Sequence, residues 1–138
     1  MYHFVGFLVT TPIPEPDFPP CEIVWREIAS PFEGVGILLP ALIESDDLAD
    51  PDQVRSLARG LGMTDRCTWI FLDYTCWGGD IDFVFGLGVA DGACFGPVQA
   101  SFEERAVSVY SQLMGKIGVS QKDALNFPPF YRGYWGKV

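Results

Sequence analysis

The sequence predicts a single α+β domain over residues 1–138: a largely antiparallel sheet with two amphipathic helices packed on one face. Three observations lead there. Segments with period-two or β-branched and aromatic patterning alternate with turn signals. Two segments carry apolar residues at helical spacing behind capping residues. The length, 138 residues, is that of one domain, and such a chain buries roughly two-thirds of the surface its unfolded form exposes.

The elements follow in order. Residues 2–10 alternate loosely and read as a first strand. Residues 11–20 hold five of the eleven prolines; proline fixes φ and lacks a donor, so this is an extended loop. Residues 21–29 suit a strand through Ile23 and Trp25, although Val24 and Ile28 also fit a helix. Residues 34–42 are a buried apolar strand ending near Pro40. The first helix spans 51–60: Asp50 caps it, Pro51 takes the first helical position and Gln53 completes a capping box. Val54, Leu57, Ala58 and Leu61 form its apolar stripe. Residues 68–75 read as a central strand, and Trp77-Gly78-Gly79 as a turn. Residues 80–90 form the next strand, with Ile81, Phe83, Phe85 and Leu87 on one face and Asp80, Asp82, Val84, Gly86 and Gly88 on the other. Asp91-Gly92 is a hairpin turn, and residues 93–100 return. The second helix starts at a Ser101 cap with Glu104 in a capping box. Its stripe is Ala106, Val107, Tyr110, Leu113, Met114 and Ile117, and Gly118 ends it. The tail, 126–138, is irregular but aromatic, with Phe127, Phe130, Tyr131, Tyr134 and Trp135, and is expected to be anchored.

Composition narrows the function. Eighteen acids against nine bases give a formal charge of −9, which argues against nucleic acid and anionic membranes as partners. The longest apolar run is about half the ~20 residues a spanning helix needs. The apolar N-terminus lacks a basic region and a cleavage site, so it reads as a strand and not as a signal peptide. Cys21, Cys67, Cys76 and Cys94 form no C-x-x-C pair. Each has apolar or aromatic neighbours, which suits buried free thiols and a reducing cytoplasm. No cofactor motif is complete: Gly86-Leu87-Gly88 lies inside a strand, where glycines mark a bulge or a close helix contact. A cysteine or serine nucleophile would depend on His3, the single histidine.

The charge is uneven. Residues 1–65 carry eleven acids and three bases; residues 66–138 carry seven acids and six bases. Glu44, Asp46, Asp47, Asp50 and Asp52 crowd together. Asp50 and Asp52 serve the helix start; Glu44, Asp46 and Asp47 either belong to a solvated loop or, read functionally, steer a basic partner. A second acidic patch, Asp73, Asp80 and Asp82, flanks the Gly-Gly turn. It reads either as the polar outer face of the sheet beside a turn or, with Tyr74 and Trp77 as anchors, as a partner-binding surface. Alternatively, its carboxylates serve a small metal-dependent or acid–base enzyme. A third reading is an assembly subunit docked through the aromatic tail.

Residues 69–91 and 106–135 carry Asp73-Tyr74-Thr75-Cys76-Trp77-Gly78-Gly79, a helix ending Ile117-Gly118-Val119, and Phe130-Tyr131-Arg132-Gly133-Tyr134-Trp135. This pattern resembles the small immunity proteins of bacterial polymorphic-toxin systems. Asp80, Asp82 and the proline-rich segment 11–20 depart from it. The resemblance implies a non-enzymatic protein that neutralises a basic toxin by covering its active site.

Overall fold

The computed structural model describes residues 2–44, 50–64, 66–77 and 80–126, with backbone only at Trp77, Asp80 and Glu103. Among the described residues six strands form one antiparallel sheet: β1 (Tyr2–Val9), β2 (Val24–Ile28), β3 (Gly34–Leu38), β4 (Trp69–Trp77), β5 (Asp80–Ala90) and β6 (Ala93–Ser101). Their spatial order is β2-β3-β1-β4-β5-β6. Four helices accompany them among the described residues: α1 (Pro40–Ile43), α2 (Pro51–Gly60), α3 (Glu103–Lys116) and α4 (Gln121–Leu125). The α+β architecture with an antiparallel sheet is therefore as the sequence predicts.

The helices do not share a face. Alternate residues of β1 and β4 point to opposite sides of the sheet. Phe4, Leu8, Ile70, Leu72 and Tyr74 pack with Ala106, Tyr110, Leu113 and Met114 of α3. Val5, Phe7, Val9, Trp69 and Phe71 pack instead with Val54 and Ala58 of α2 and with Leu61. One amphipathic helix thus covers each face. The physical reason is visible in β1: Phe4, Val5, Phe7, Leu8 and Val9 are all buried. A strand with apolar side chains on both faces needs cover on both sides. Full burial of a side chain such as Phe7 or Phe71 contributes about 1.5–3 kcal/mol.

Helix α2 begins at its predicted cap, with Pro51 following; the Asp50 carboxylate accepts a hydrogen bond from the Asp52 N–H at 2.9 Å, so the cap bond goes to the second helical residue and not to Gln53 as a capping box requires. Helix α3 begins later than its sequence suggests. Ser101 stays in β6, paired with Phe83, so it cannot cap. Phe102 takes the cap position at φ 73°, without a side-chain cap bond. Its N–H donates to the Asp82 carbonyl at 3.0 Å, and its carbonyl accepts from the Ala106 N–H at 2.8 Å. Gly118 ends the helix with φ 85°, as expected of a left-handed cap. Two short helices were not legible. Residues 40–43 leave the strand at Pro40 as α1, and α4 is capped by the Ser120 hydroxyl, which accepts from the Asp123 N–H at 3.2 Å.

The glycines of β5 mark both a bulge and a close helix. The β5–β6 register shifts between Gly86 and Gly88. A Cβ on Gly86 would lie 2.7 Å from Cδ1 of Leu113 on α3, and one on Gly88 would lie 2.1 Å from the Trp69 carbonyl oxygen. The β5–β6 hairpin turns at Asp91 (φ 53°) and Gly92 (φ 78°), the pair of positive φ angles that a two-residue hairpin loop requires. The four cysteines are free; Cys67 and Cys76 are buried, whereas Cys21 is half-buried and Cys94 exposed. Burial raises the Cys21 thiol above its ordinary pKa. Among the described residues no helix is long and apolar enough to cross a membrane.

Candidate functional site

Strand pairing assembles a polar cluster at the end of the sheet where β1 begins. In the β1–β4 ladder His3 lies opposite Thr75 and Val5 opposite Asp73. All four therefore project from the face that α2 covers farther along. The Nε2 hydrogen of His3 donates to the Asp73 carboxylate at 2.7 Å. Asp73 is 8% exposed and is the only buried charged residue among those described. Burying a carboxylate is costly without a partner, and His3 supplies one from a strand 70 residues away.

Asp82 joins the same cluster through a register shift. Thr75 pairs with Phe83 and Cys76 with Ile81, so Asp82 has no opposite residue. The irregularity also divides the predicted apolar row of β5. Ile81 packs on the α3 side, while Phe83, Phe85 and Leu87 pack on the α2 side. Strict period-two alternation predicts all four on one face, and one extra residue breaks that count. The Thr75 hydroxyl donates to the Asp82 carboxylate at 2.6 Å. The carboxylates of Asp73 and Asp82 are thus each engaged by a side chain of a neighbouring strand.

Tyr74 does not serve as a surface anchor. It is 2% exposed, stacks on Phe4 with ring centroids 5.2 Å apart and meets Tyr110 edge-on at 5.6 Å. Its parity on β4 sends it to the α3 side, opposite Asp73 and Thr75. Burial, followed by the neighbouring Tyr110, Tyr2 and Cys76, holds its hydroxyl well above the usual tyrosine range.

Of the other predicted residues, Glu44 is exposed at the end of α1. Asp46 and Asp47 lie outside the described residues, as do the Gly78-Gly79 turn and the tail aromatics from Phe127 onward. Trp77 and Asp80 are paired at the end of the β4–β5 hairpin, but their side chains lie outside the description.

The cluster has limited chemical scope. Cys76 shares the α3 side of the sheet with Tyr74, so it faces away from His3 and the two form no nucleophile–base pair. Among the described residues no group of three or more His, Cys, Asp and Glu is placed to hold a metal ion. The His3–Asp73 contact was missed from sequence because strand register decides it. The signals available were a lone histidine at the start of one apolar strand and a lone aspartate inside another. Comparison with protein-family models, curated proteins and solved structures returned no match.

Proposed function

We propose that this chain is an acidic, non-enzymatic binding protein that covers a basic surface of a partner protein, in the manner of the toxin-neutralising immunity proteins its motifs resemble. The observation that carries this reading is the acid excess of residues 1–65, eleven acids against three bases. Glu15, Asp17, Glu22, Glu33 and Glu44 within that stretch are exposed, so their charge reaches solvent and a partner. Free cysteines support a reducing cytoplasm as the place of action. The acid–base alternative built on Asp73, Asp80 and Asp82 is less well supported, since His3 engages Asp73 and Thr75 engages Asp82.

The reading is tested by association kinetics with the basic protein that the chain retains from its host. The rate should fall at least about tenfold as ionic strength rises from about 0.01 M to about 0.15 M, where the screening length shrinks from about 30 Å to about 8 Å. A rate indifferent to salt would count against it.

A further inference from the structure

The two edges of the sheet differ. At one edge β2 is five residues long and carries Arg26 and Glu27; charged side chains on a short strand discourage pairing with another chain. At the other edge β6 is nine residues long. Residues 93–102 hold no charged residue, in a chain with 20% charged residues. Pro97 blocks one position, since it has no N–H, but residues 98–101 run on beyond it. The Phe102 N–H donates to the Asp82 carbonyl. Hydrogen-bonded pairs alternate along an antiparallel ladder, so Val98 and Ala100 turn their backbone groups to β5, and Gln99 and Ser101 turn theirs outward.

A knob and a groove lie along this edge. Phe102 is 83% exposed and Val98 40%, two of the three exposed large apolar side chains among the described residues. Between β6 and α3 runs a groove of about 240 Å³, lined by Phe95, Val98, Val109 and Leu113, with Lys116 beside them. Phe95, Val109 and Leu113 belong to the α3-side core. Val98 pairs with Gly86, whose Cβ would meet Leu113, so the lining shares one face. An apolar cavity of about 150 Å³ already admits a benzene ring.

We infer that β6 is the interface between two copies of this chain, paired antiparallel about a two-fold axis with Phe102 of each copy in the groove of the other. Charge selects a second copy over the basic partner. Residues 66–138 carry seven acids and six bases, so two copies meet here away from the acid excess of residues 1–65, and the edge strand offers a basic surface no carboxylate. Gln99 opposite Ser101 of the second copy exchanges backbone bonds without calling on Pro97. That register sets Phe102 across from Val98, at the groove. The two rings together bury roughly 300–500 Å², a large part of the about 1,200 Å² at the low end of specific interfaces. The two-fold pair is closed: both knobs, both grooves and both edges are used.

The test is the mass of the full chain by light scattering across about 5–500 µM, a range that reaches weak interfaces of this size, with amide hydrogen exchange at both ends of it. The mass should rise from one chain towards two, and the Gln99 and Ser101 amides should exchange more slowly at the concentrated end. Phe102→Gly and Gln99→Lys should each weaken the dimer at least about tenfold, while unfolding curves at the dilute end show both variants folded. Phe18→Ser, which removes the third exposed apolar side chain, should leave the dimer unchanged. The mass of one chain throughout overturns the proposal. Association that survives both β6 variants, or that Phe18→Ser abolishes, overturns it as well.

Discussion

At the scale of single residues, two side chains stand out because local rules alone do not place them. Asp73 is buried and depends on His3, with a 2.7 Å contact between strands. A double-mutant cycle with His3→Gln and Asp73→Asn, read by denaturant unfolding, should give a coupling of about 1.5–3 kcal/mol, the range for a hydrogen bond to a charged group. Coupling near zero would mean that the pair does not hold β1 to β4. Phe102 is the opposite case: it is 83% exposed and sits at φ 73°, where a side chain is strained. Phe102→Gly should stabilise the fold by about 1 kcal/mol and raise the thermal midpoint. A lower midpoint would show that the ring contributes more than its backbone costs. Neither feature was legible in the sequence. Register brings His3 to Asp73, and the strand pairing of Ser101 displaces the cap that its hydroxyl would otherwise provide.

At the scale of elements, the chain was legible wherever a local rule and the tertiary context agree. Asp50, Pro51 and the Val54–Ala58 spacing place α2 at its observed bounds. Asp91-Gly92 places the hairpin. The glycines of β5 signal a bulge or a close helix, and the structure has both. Two glycine variants separate packing from propensity. Gly88→Ala drives a Cβ to 2.1 Å from a backbone oxygen and should cost about 3 kcal/mol. Gly115→Ala meets nothing within 4 Å, lies inside α3, and should gain about 0.5–1 kcal/mol. Chemical denaturation of both variants checks the contrast; equal effects would contradict the β5 geometry. Strict alternation failed at Asp82, because a single unpaired residue sends Ile81 to the other side.

At the scale of the whole molecule, the sequence conveyed the class of fold but not the layering. The continuous apolar run Phe4-Val5-Gly6-Phe7-Leu8-Val9 was the available signal that β1 is covered twice. Burial of both rows of β1 side chains requires cover on both sides, so the two helices divide between the faces instead of sharing one. Of the two acidic patches, the one near the Gly-Gly turn loses Tyr74 to the core and has Asp73 and Asp82 engaged internally. The surface charge available for a partner is therefore concentrated in the N-terminal half, on the segments around β2, β3 and α1. That excess in residues 1–65 is what the binding reading rests on, since an acidic surface attracts a basic protein.

The most direct test is affinity capture from the native host with the wild-type chain and with the charge-reversed variant Glu44→Lys, Asp46→Lys, Asp47→Lys, followed by direct binding of the purified captured protein. The wild type should retain a basic protein, the purified pair should bind one to one, and the variant should bind it at least about tenfold more weakly. Retention of no basic protein, or equal binding by the variant, would contradict the binding reading.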